Sequence, residues 1–178
     1  FIELFTKKAS QLKIGDPTSM ETDIGPLSSK EGLETISGIV EDAKEKGAEV
    51  LLGGNEIDGK GFFYEPTILT NIKPNMRIAQ EETFGPVAPL FSFATEEEVI
   101  ARANDTPFGL ASYFYTTDLA KSWRVSEQLE YGMVGLNTGI VSTEMAPFGG
   151  IKESGMGREG SKYGVEDYLE IKYISIAG

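Results

Sequence analysis

The chain has 178 residues, with 16 Lys and Arg against 28 Asp and Glu for a net charge of -12, and it contains no cysteine or histidine. These absences exclude thiolate nucleophiles, disulfides, Cys/His zinc sites and imidazole proton shuttles, and we expect no metal site. The acidic balance and the lack of an apolar run of about 20 residues argue against nucleic acid and membranes as partners and favour a cytoplasmic protein.

The first predicted element is a helix that is already under way at the first residue. Phe1, Phe5, Ala9 and Leu12 fall on one helical stripe, and no capping residue precedes them. We therefore expect the chain to be a fragment of a longer protein, with proteolytic processing as the alternative. The composition, 40% hydrophobic and 25% charged, is that of one globular domain or part of one.

A second helix and two extended segments are predicted to follow. Ser28-Ser29-Lys30-Glu31 is a capping box that predicts a helix start, and Gly47 supplies a left-handed stop. Residues 48–52 then have the pattern of a short buried strand. Residues 62–69 are also predicted to be extended, and Pro66 favours an edge position for them because proline cannot donate a hydrogen bond to a neighbouring strand.

From residue 87 onward, strands and helices are predicted to alternate. The apolar runs indicate strands at residues 87–93, 110–115 and 132–137. Thr95 and Thr117 are placed to begin the two helices between them. Strands and helices that alternate with short connections are typical of a parallel sheet covered by helices, so the predicted fold class is α/β.

The last predicted strand, residues 172–176, has no obvious partner within the chain. A terminal apolar strand is usually paired internally, whereas pairing across a subunit boundary would make it an oligomerisation element. The sequence leaves both alternatives open.

The run Gly155-Met156-Gly157-Arg158-Glu159-Gly160 matches the dinucleotide fingerprint G-x-G-x-x-G. Its context is wrong, because polar residues precede it instead of a buried strand, and no second strand with an acidic ribose ligand follows at about 20 residues. We expect these glycines to form a turn and not a nucleotide site.

Two carboxylates, Glu81 and Glu82, stand just before a Gly-Pro turn that leads into the strand at residue 87. We expect them at the end of the sheet where crevices form in open α/β folds, and a carboxylate there can accept two hydrogen bonds from a sugar diol. Phe84 is placed to pack on a ring beside it. The alternative is a solvated acidic loop with Phe84 in the core.

A long loop follows the strand that ends near Asn137 and closes on Phe148-Gly149-Gly150. Small hydroxyl residues (Thr138, Ser142 and Thr143) followed by an aromatic side chain are typical of a pocket wall. Turn chemistry explains the hydroxyl residues equally well, and Phe148 is as readily a core residue.

Three stretches, in this order, resemble signature segments of the NAD(P)-dependent aldehyde dehydrogenases. They are residues 81–87 (EETFGPV), 103–111 (ANDTPFGLA) and 147–155 (PFGGIKESG). The resemblance extends over the whole chain but covers only the C-terminal part of the family's fold. Residues 137–142 and 155–170 are most similar to the succinate-semialdehyde dehydrogenase group.

The resemblance implies how the chain is organised. Residues 1–153 are expected to be the C-terminal part of a parallel-sheet catalytic domain, residues 154–168 a connecting segment and residues 169–178 a C-terminal oligomerisation strand. It also implies that the complete protein is a homo-oligomer, either a dimer or a tetramer.

The resemblance further assigns roles to four residues. Glu82 matches the glutamate that holds the nicotinamide ribose hydroxyls of NAD or NADP, and Phe84 matches the aromatic residue beside that end of the cofactor. Ser142 matches a serine that hydrogen-bonds the distal carboxylate of the substrate, and Phe148 matches an aromatic residue lining the substrate tunnel. No catalytic residue is expected within the chain.

The implied reaction is oxidation of a small aldehyde, succinic semialdehyde to succinate. In the family a cysteine thiolate attacks the aldehyde, hydride passes to the nicotinamide and water releases the acid. That cysteine lies before the position of Phe1, so we expect the isolated chain to be inactive. The alternatives are an aldehyde dehydrogenase of broader specificity and a non-catalytic binding or assembly module with this fold.

Overall fold

A computed structural model describes residues 1–178, the whole chain. The chain divides into two compact units, Phe1–Ser92 and Phe93–Gly178. None of its helices is both long and apolar enough to cross a bilayer.

The first unit contains two helices, five strands and a short 3-10 helix. In chain order they are α1 (Ile2–Ala9), α2 (Lys30–Glu45), β1 (Glu49–Leu52), β2 (Glu56–Ile57), β3 (Phe63–Tyr64), β4 (Thr67–Thr70), the 3-10 helix (Arg77–Ala79) and β5 (Val87–Pro89).

Helix α2 supplies much of the core of this unit, and its sequence shows why it begins and ends where it does. The Ser29 hydroxyl accepts a hydrogen bond from the Gly32 amide at 3.1 Å, which caps the first turn. The helix stops before Gly47, whose φ of 94° is left-handed, as predicted. Between these ends, one apolar side is buried: Ile36, Ile39, Val40 and Ala43.

Strand β4 is the central strand of a three-stranded sheet. It pairs antiparallel with β1 and parallel with β5. The prediction of an edge position because of Pro66 is therefore wrong. Pro66 lies between β3 and β4 and belongs to neither strand, so its missing amide hydrogen interrupts no strand pairing. The hydrogen bonds of β4 begin at its first residue, Thr67, whose amide donates to Pro86 O at 2.8 Å.

The second unit contains two helices, four strands and a second 3-10 helix. In chain order they are α3 (Glu96–Asn104), β6 (Phe108–Gly109), β7 (Ala111–Phe114), α4 (Leu119–Gln128), β8 (Met133–Leu136), β9 (Ile151–Lys152) and the 3-10 helix (Tyr163–Tyr168).

Strands β7 and β8 pair in parallel, with α4 as the crossover helix between them. Helix α3 begins as predicted, because the Thr95 hydroxyl accepts from the Glu98 amide at 3.2 Å. Helix α4 begins one residue later than expected: Asp118, and not Thr117, caps it by accepting from the Lys121 amide at 2.9 Å.

The predicted α/β class is observed, but the predicted parallel sheet is not, because parallel and antiparallel pairs are mixed. Among the strands, parallel pairing is limited to β4 with β5 and β7 with β8, while β1 with β4 and β6 with β9 are antiparallel. The antiparallel return of β4 along β1 has a simple cause. The β2–β3 hairpin joins them and no crossover helix does, so the chain reverses direction.

The predicted strand at residues 172–176 does not form within this chain. Residues 169–178 pair with no other segment, and their apolar side chains are exposed: Leu169, Ile171, Tyr173, Ile174 and Ile176. Internal pairing, one of the two alternatives, is therefore wrong. Pairing across a subunit boundary stays a prediction, since a strand needs a neighbour to satisfy its backbone hydrogen bonds.

Candidate functional site

The loop that carries Glu82 and Phe84 connects the first 3-10 helix to β5. It therefore lies at the amino-terminal end of β5 and not at the carboxyl ends of the parallel strands, where crevices of open α/β sheets form. The prediction that Glu81 and Glu82 lie at the crevice-forming end of the sheet is therefore wrong. The shape of this loop is set instead by short contacts, with the Glu81 amide donating to Arg77 O at 2.8 Å and the Val87 amide donating to Gly85 O at 2.8 Å.

The two adjacent carboxylates of this loop differ in their surroundings. Glu81 receives two hydrogen bonds from the guanidinium of Arg77, Nε to Oε1 and Nη2 to Oε2, both at 2.8 Å. This contact holds the pKa of Glu81 below its ordinary value. The exposed side chain of Glu82 makes no hydrogen bond or ion pair within the chain. Glu82 is therefore the carboxylate that is free to accept hydrogen bonds from a ligand.

Phe84 stands on the surface of the first unit with 78% of its area exposed. The alternative in which Phe84 is a core residue is therefore wrong. The next residue, Gly85, packs directly on helix α2, where a Cβ would meet Ile36 Cδ1 at 2.8 Å. Glu82 and Phe84 thus present a free carboxylate and an exposed aromatic ring on the same short loop.

The loop that carries Ser142 begins at Asn137, directly after β8. Asn137 has a φ of 55°. Its side-chain amide forms the hydrogen bonds to Thr116 that the backbone of a neighbouring strand would otherwise form. Oδ1 accepts from the Thr116 amide at 2.9 Å and Nδ2 donates to Thr116 O at 2.8 Å. These two bonds end the parallel pairing of β7 and β8 and fix the direction in which the loop departs.

Only some of the hydroxyl residues of this loop form hydrogen bonds with the backbone. Thr138 Oγ1 accepts from the Ile140 amide at 3.2 Å, and Thr143 Oγ1 accepts from the Met145 amide at 3.4 Å. Turn chemistry thus accounts for the two threonines. It does not account for Ser142, whose exposed hydroxyl has no hydrogen-bond partner in the chain.

Phe148 is half-buried and lines a cleft of about 710 Å³ in the second unit. Its backbone pairs with Glu159 through hydrogen bonds of 2.8 and 2.7 Å. The next residue is a glycine because a Cβ at Gly149 would lie 2.7 Å from Gly157 O. Ser142 is not among the residues that line this cleft, so the structure places these two predicted substrate residues on one loop but not in one pocket.

The glycine-rich run at residues 155–160 forms turns, as expected, and not a strand–loop–helix unit. Gly155, Gly157 and Gly160 all have positive φ angles. The Arg158 guanidinium donates to Gly150 O at 2.8 Å and to Gly157 O at 2.7 Å, which ties the run to the segment that follows Phe148. Gly157 permits close packing, because a Cβ there would collide with the Asp167 carboxylate, whereas a Cβ at Gly155 would meet nothing within 4 Å, and that glycine serves the positive φ of the turn.

Sequence reasoning missed Arg77 and Asp42. Arg77 binds Glu81, and its own amide donates to Asp42 Oδ2 at 2.9 Å. One signal was available, because an arginine four residues before a glutamate is the spacing of a side-chain ion pair on one helical turn. The contact to Asp42 spans 35 residues and has no local signal.

Known proteins resemble this chain in both sequence and structure. It is 54% identical over 176 residues to the succinate-semialdehyde dehydrogenase [NADP(+)] GabD of Escherichia coli, covering 99% of this chain and 36% of that protein. It is 55% identical over 177 residues to a glutarate-semialdehyde dehydrogenase of Pseudomonas putida, covering 99% and 36%. A crystal structure of an E. coli NADP-dependent enzyme matches 97% of this chain and 36% of its own with a TM-score of 0.94 and 54% identity.

The chain thus spans about a third of the length of these relatives. Residues 1–174 match the aldehyde dehydrogenase family as a whole. The match covers both loops described above, with Glu82 and Phe84 on one and Ser142 and Phe148 on the other. The chain belongs to the aldehyde dehydrogenase family.

Proposed function

We propose that this chain is the C-terminal part of the catalytic domain of an NAD(P)-dependent semialdehyde dehydrogenase, which oxidises succinic semialdehyde to succinate. The observation that carries the proposal is the free carboxylate of Glu82 beside the exposed ring of Phe84 in a chain of this family. The proposal divides the chain into catalytic-domain residues 1–153, a connecting segment 154–168 and an oligomerisation strand 169–178.

Glu82 and Phe84 have the chemistry that the nicotinamide end of NAD(P) requires. The two oxygens of an ionised carboxylate accept hydrogen bonds from the two hydroxyls of a ribose, and no group of this chain competes for them at Glu82. Phe84 offers an apolar face to a planar ring. A nicotinamide held here would supply the hydride acceptor of the oxidation. The role of this chain is to orient the ribose to which the nicotinamide is attached.

Ser142 and Phe148 are proposed to act on the substrate. The Ser142 hydroxyl, unused by the backbone, donates a hydrogen bond to the carboxylate at the far end of the semialdehyde. The half-buried ring of Phe148 forms an apolar wall along the carbon chain. Relatives named for succinate and glutarate semialdehydes support this substrate class, because both compounds carry a carboxylate opposite the aldehyde.

The tail at residues 169–178 is proposed to pair with a second subunit. Its residues form no strand within the chain, and five of its apolar side chains are exposed. Pairing with a strand of another subunit would satisfy both the backbone groups and the apolar surface. The complete protein is accordingly proposed to be a homo-oligomer.

The isolated chain is proposed to be inactive, because it contains no cysteine to form the covalent intermediate. The experiment that tests the proposed function uses the complete protein read from the gene that encodes this chain. Its kcat/KM is measured for succinic semialdehyde and for butanal, a neutral aldehyde of equal carbon number, with NAD and NADP in parallel. Preference for the semialdehyde supports the proposal. Equal use of butanal favours the broader aldehyde dehydrogenase, and no turnover by a folded protein favours the non-catalytic module.

A further inference from the structure

We propose that Arg77 is a positioning residue for the cofactor carboxylate, because it binds Glu81 and so leaves Glu82 as the one free carboxylate of the pair. This inference rests on the proposed function, in which Glu82 binds the nicotinamide ribose. Arg77 itself does not touch the cofactor. It acts through the loop that it holds.

The contact between Arg77 and Glu81 fixes both partners. Two parallel hydrogen bonds of 2.8 Å join the guanidinium to the carboxylate, and this fork geometry restricts the orientation of the Glu81 side chain. The backbone adds a third bond, from the Glu81 amide to Arg77 O at 2.8 Å. Glu82 directly follows Glu81, whose main chain and side chain are both hydrogen-bonded to Arg77. The backbone of Glu82 therefore starts from a fixed position.

Arg77 is in turn fastened to helix α2. Its amide donates to Asp42 Oδ2 at 2.9 Å, and the other carboxylate oxygen of Asp42 accepts from Lys46 Nζ at 2.6 Å. The guanidinium passes over Gly38 in the middle of the helix, where a Cβ would lie 3.2 Å from Arg77 Nη1. A glycine inside a helix is unfavourable, and the close passage of Arg77 gives it a reason.

These contacts form one continuous connection from helix α2 through Arg77 and Glu81 to Glu82. Without Arg77, the side chain of Glu81 loses both of its hydrogen bonds to the guanidinium. Two unpaired carboxylates, Glu81 and Glu82, are then adjacent on the loop and repel each other. The free protein then has to order this loop when the ribose binds. We therefore expect weaker cofactor binding with little change in the affinity for aldehyde.

The test compares Arg77→Ala, Arg77→Lys and Arg102→Ala with the wild-type complete enzyme. Arg102 pairs with Glu98 at 2.8 Å with the same i,i+4 spacing on helix α3, so its removal is a matched control for loss of an arginine–glutamate pair. The Kd for NADP is measured by titration calorimetry without aldehyde, and KM is measured for both substrates. Arg77→Ala should raise the Kd and the cofactor KM about fivefold and leave the aldehyde KM unchanged. Arg77→Lys, which keeps the charge but not the fork, should recover part of the loss, and Arg102→Ala should change neither constant.

Two further variants separate the possible failures. If Arg77→Ala does not fold, Glu81→Gln breaks the same fork from the other side and should raise the Kd in the same way. If Glu82→Gln raises the Kd and neither Arg77→Ala nor Glu81→Gln does so, the positioning role of Arg77 is overturned. If Glu82→Gln also leaves the Kd unchanged, the proposed function of Glu82 itself fails.

Discussion

Gly85 lies so close to Ile36 of helix α2 that a Cβ added to the glycine would sit 2.8 Å from Ile36 Cδ1. Ile36 belongs to the core of the first unit and is 1% exposed. The loop that carries Glu82 and Phe84 is thus fastened directly to the hydrophobic core. An apolar contact thus holds this loop to the core, in addition to the hydrogen bonds between Arg77 and Glu81.

This contact predicts a specific pattern of destabilisation and rescue. Gly85→Ala should lower the free energy of unfolding by about 1–3 kcal/mol, because the new methyl group overpacks the core. Ile36→Ala removes both atoms that the methyl group would meet, Cδ1 at 2.8 Å and Cγ1 at 2.9 Å, and alone it should cost about 2–5 kcal/mol. The double variant should lose less free energy of unfolding than the sum of the losses of the two single variants. Urea unfolding of the four proteins checks this, and strict additivity would show that the two residues are not in contact.

The free carboxylate of Glu82 predicts a loss that is confined to the cofactor. Glu82→Gln replaces an acceptor of two hydrogen bonds by a neutral amide and should raise the KM for NAD(P) about tenfold in the complete enzyme. The KM for aldehyde should stay near its wild-type value. Glu45→Gln, at an exposed position near the end of helix α2, is the control for loss of one negative charge. An equal rise in both variants would point to net charge and not to ribose binding.

The unused hydroxyl of Ser142 predicts discrimination between two aldehydes. Ser142→Ala should raise the KM for succinic semialdehyde by at least about tenfold, the effect of one lost hydrogen bond to a charged group. The KM for butanal should not change, because butanal has no carboxylate to bind. Steady-state kinetics of the complete enzyme with each aldehyde measures both effects. A rise of the same size for both aldehydes would assign Ser142 a structural role.

Tyr64 predicts a loss of stability at high pH. It is 3% exposed, and burial, together with the nearby charges of Glu56, Glu65 and Glu41, raises the pKa of its phenol from 10.0 to about 12. The unfolded chain ionises this group near pH 10, whereas the folded chain keeps it protonated, so unfolding releases a proton in this range. The free energy of unfolding contributed by Tyr64 is therefore present below pH 10 and is lost as the pH rises towards 12.

The measurement is urea unfolding of the wild type and Tyr64→Phe between pH 10 and pH 12. The wild type should lose stability more steeply than Tyr64→Phe, which has no proton to release at this position. Parallel slopes in the two proteins would show that Tyr64 titrates alike in the folded and unfolded states.

The parts of the fold that depend on neighbouring residues were predictable from the sequence. Ser29 and Thr95 precede helical stripes, and both cap helices as local chemistry dictates. The placement of Pro66 was not predictable, because it depends on which strands flank β4, and that pairing is decided by residues far apart in the sequence. The tail at residues 169–178 shows the same limit, since an apolar run forms a strand only where a neighbour exists.

The candidate site shows why residue types alone do not separate functional from structural groups. Glu81 and Glu82 are equivalent as letters, and they differ because Arg77 reaches one and not the other. Ser142 and Thr143 are both small hydroxyl residues, yet only the threonine has its oxygen bound to the backbone. In each case the distinction follows from hydrogen bonds that depend on the local three-dimensional path of the chain.

The most direct test of the central claim is the formation of reduced nicotinamide from succinic semialdehyde by the complete protein, measured beside the 178-residue chain at equal molar concentration. We expect turnover by the complete protein and none by this chain, which has no cysteine. Turnover by the purified chain alone, or a folded complete protein that reduces neither NAD nor NADP, would contradict it.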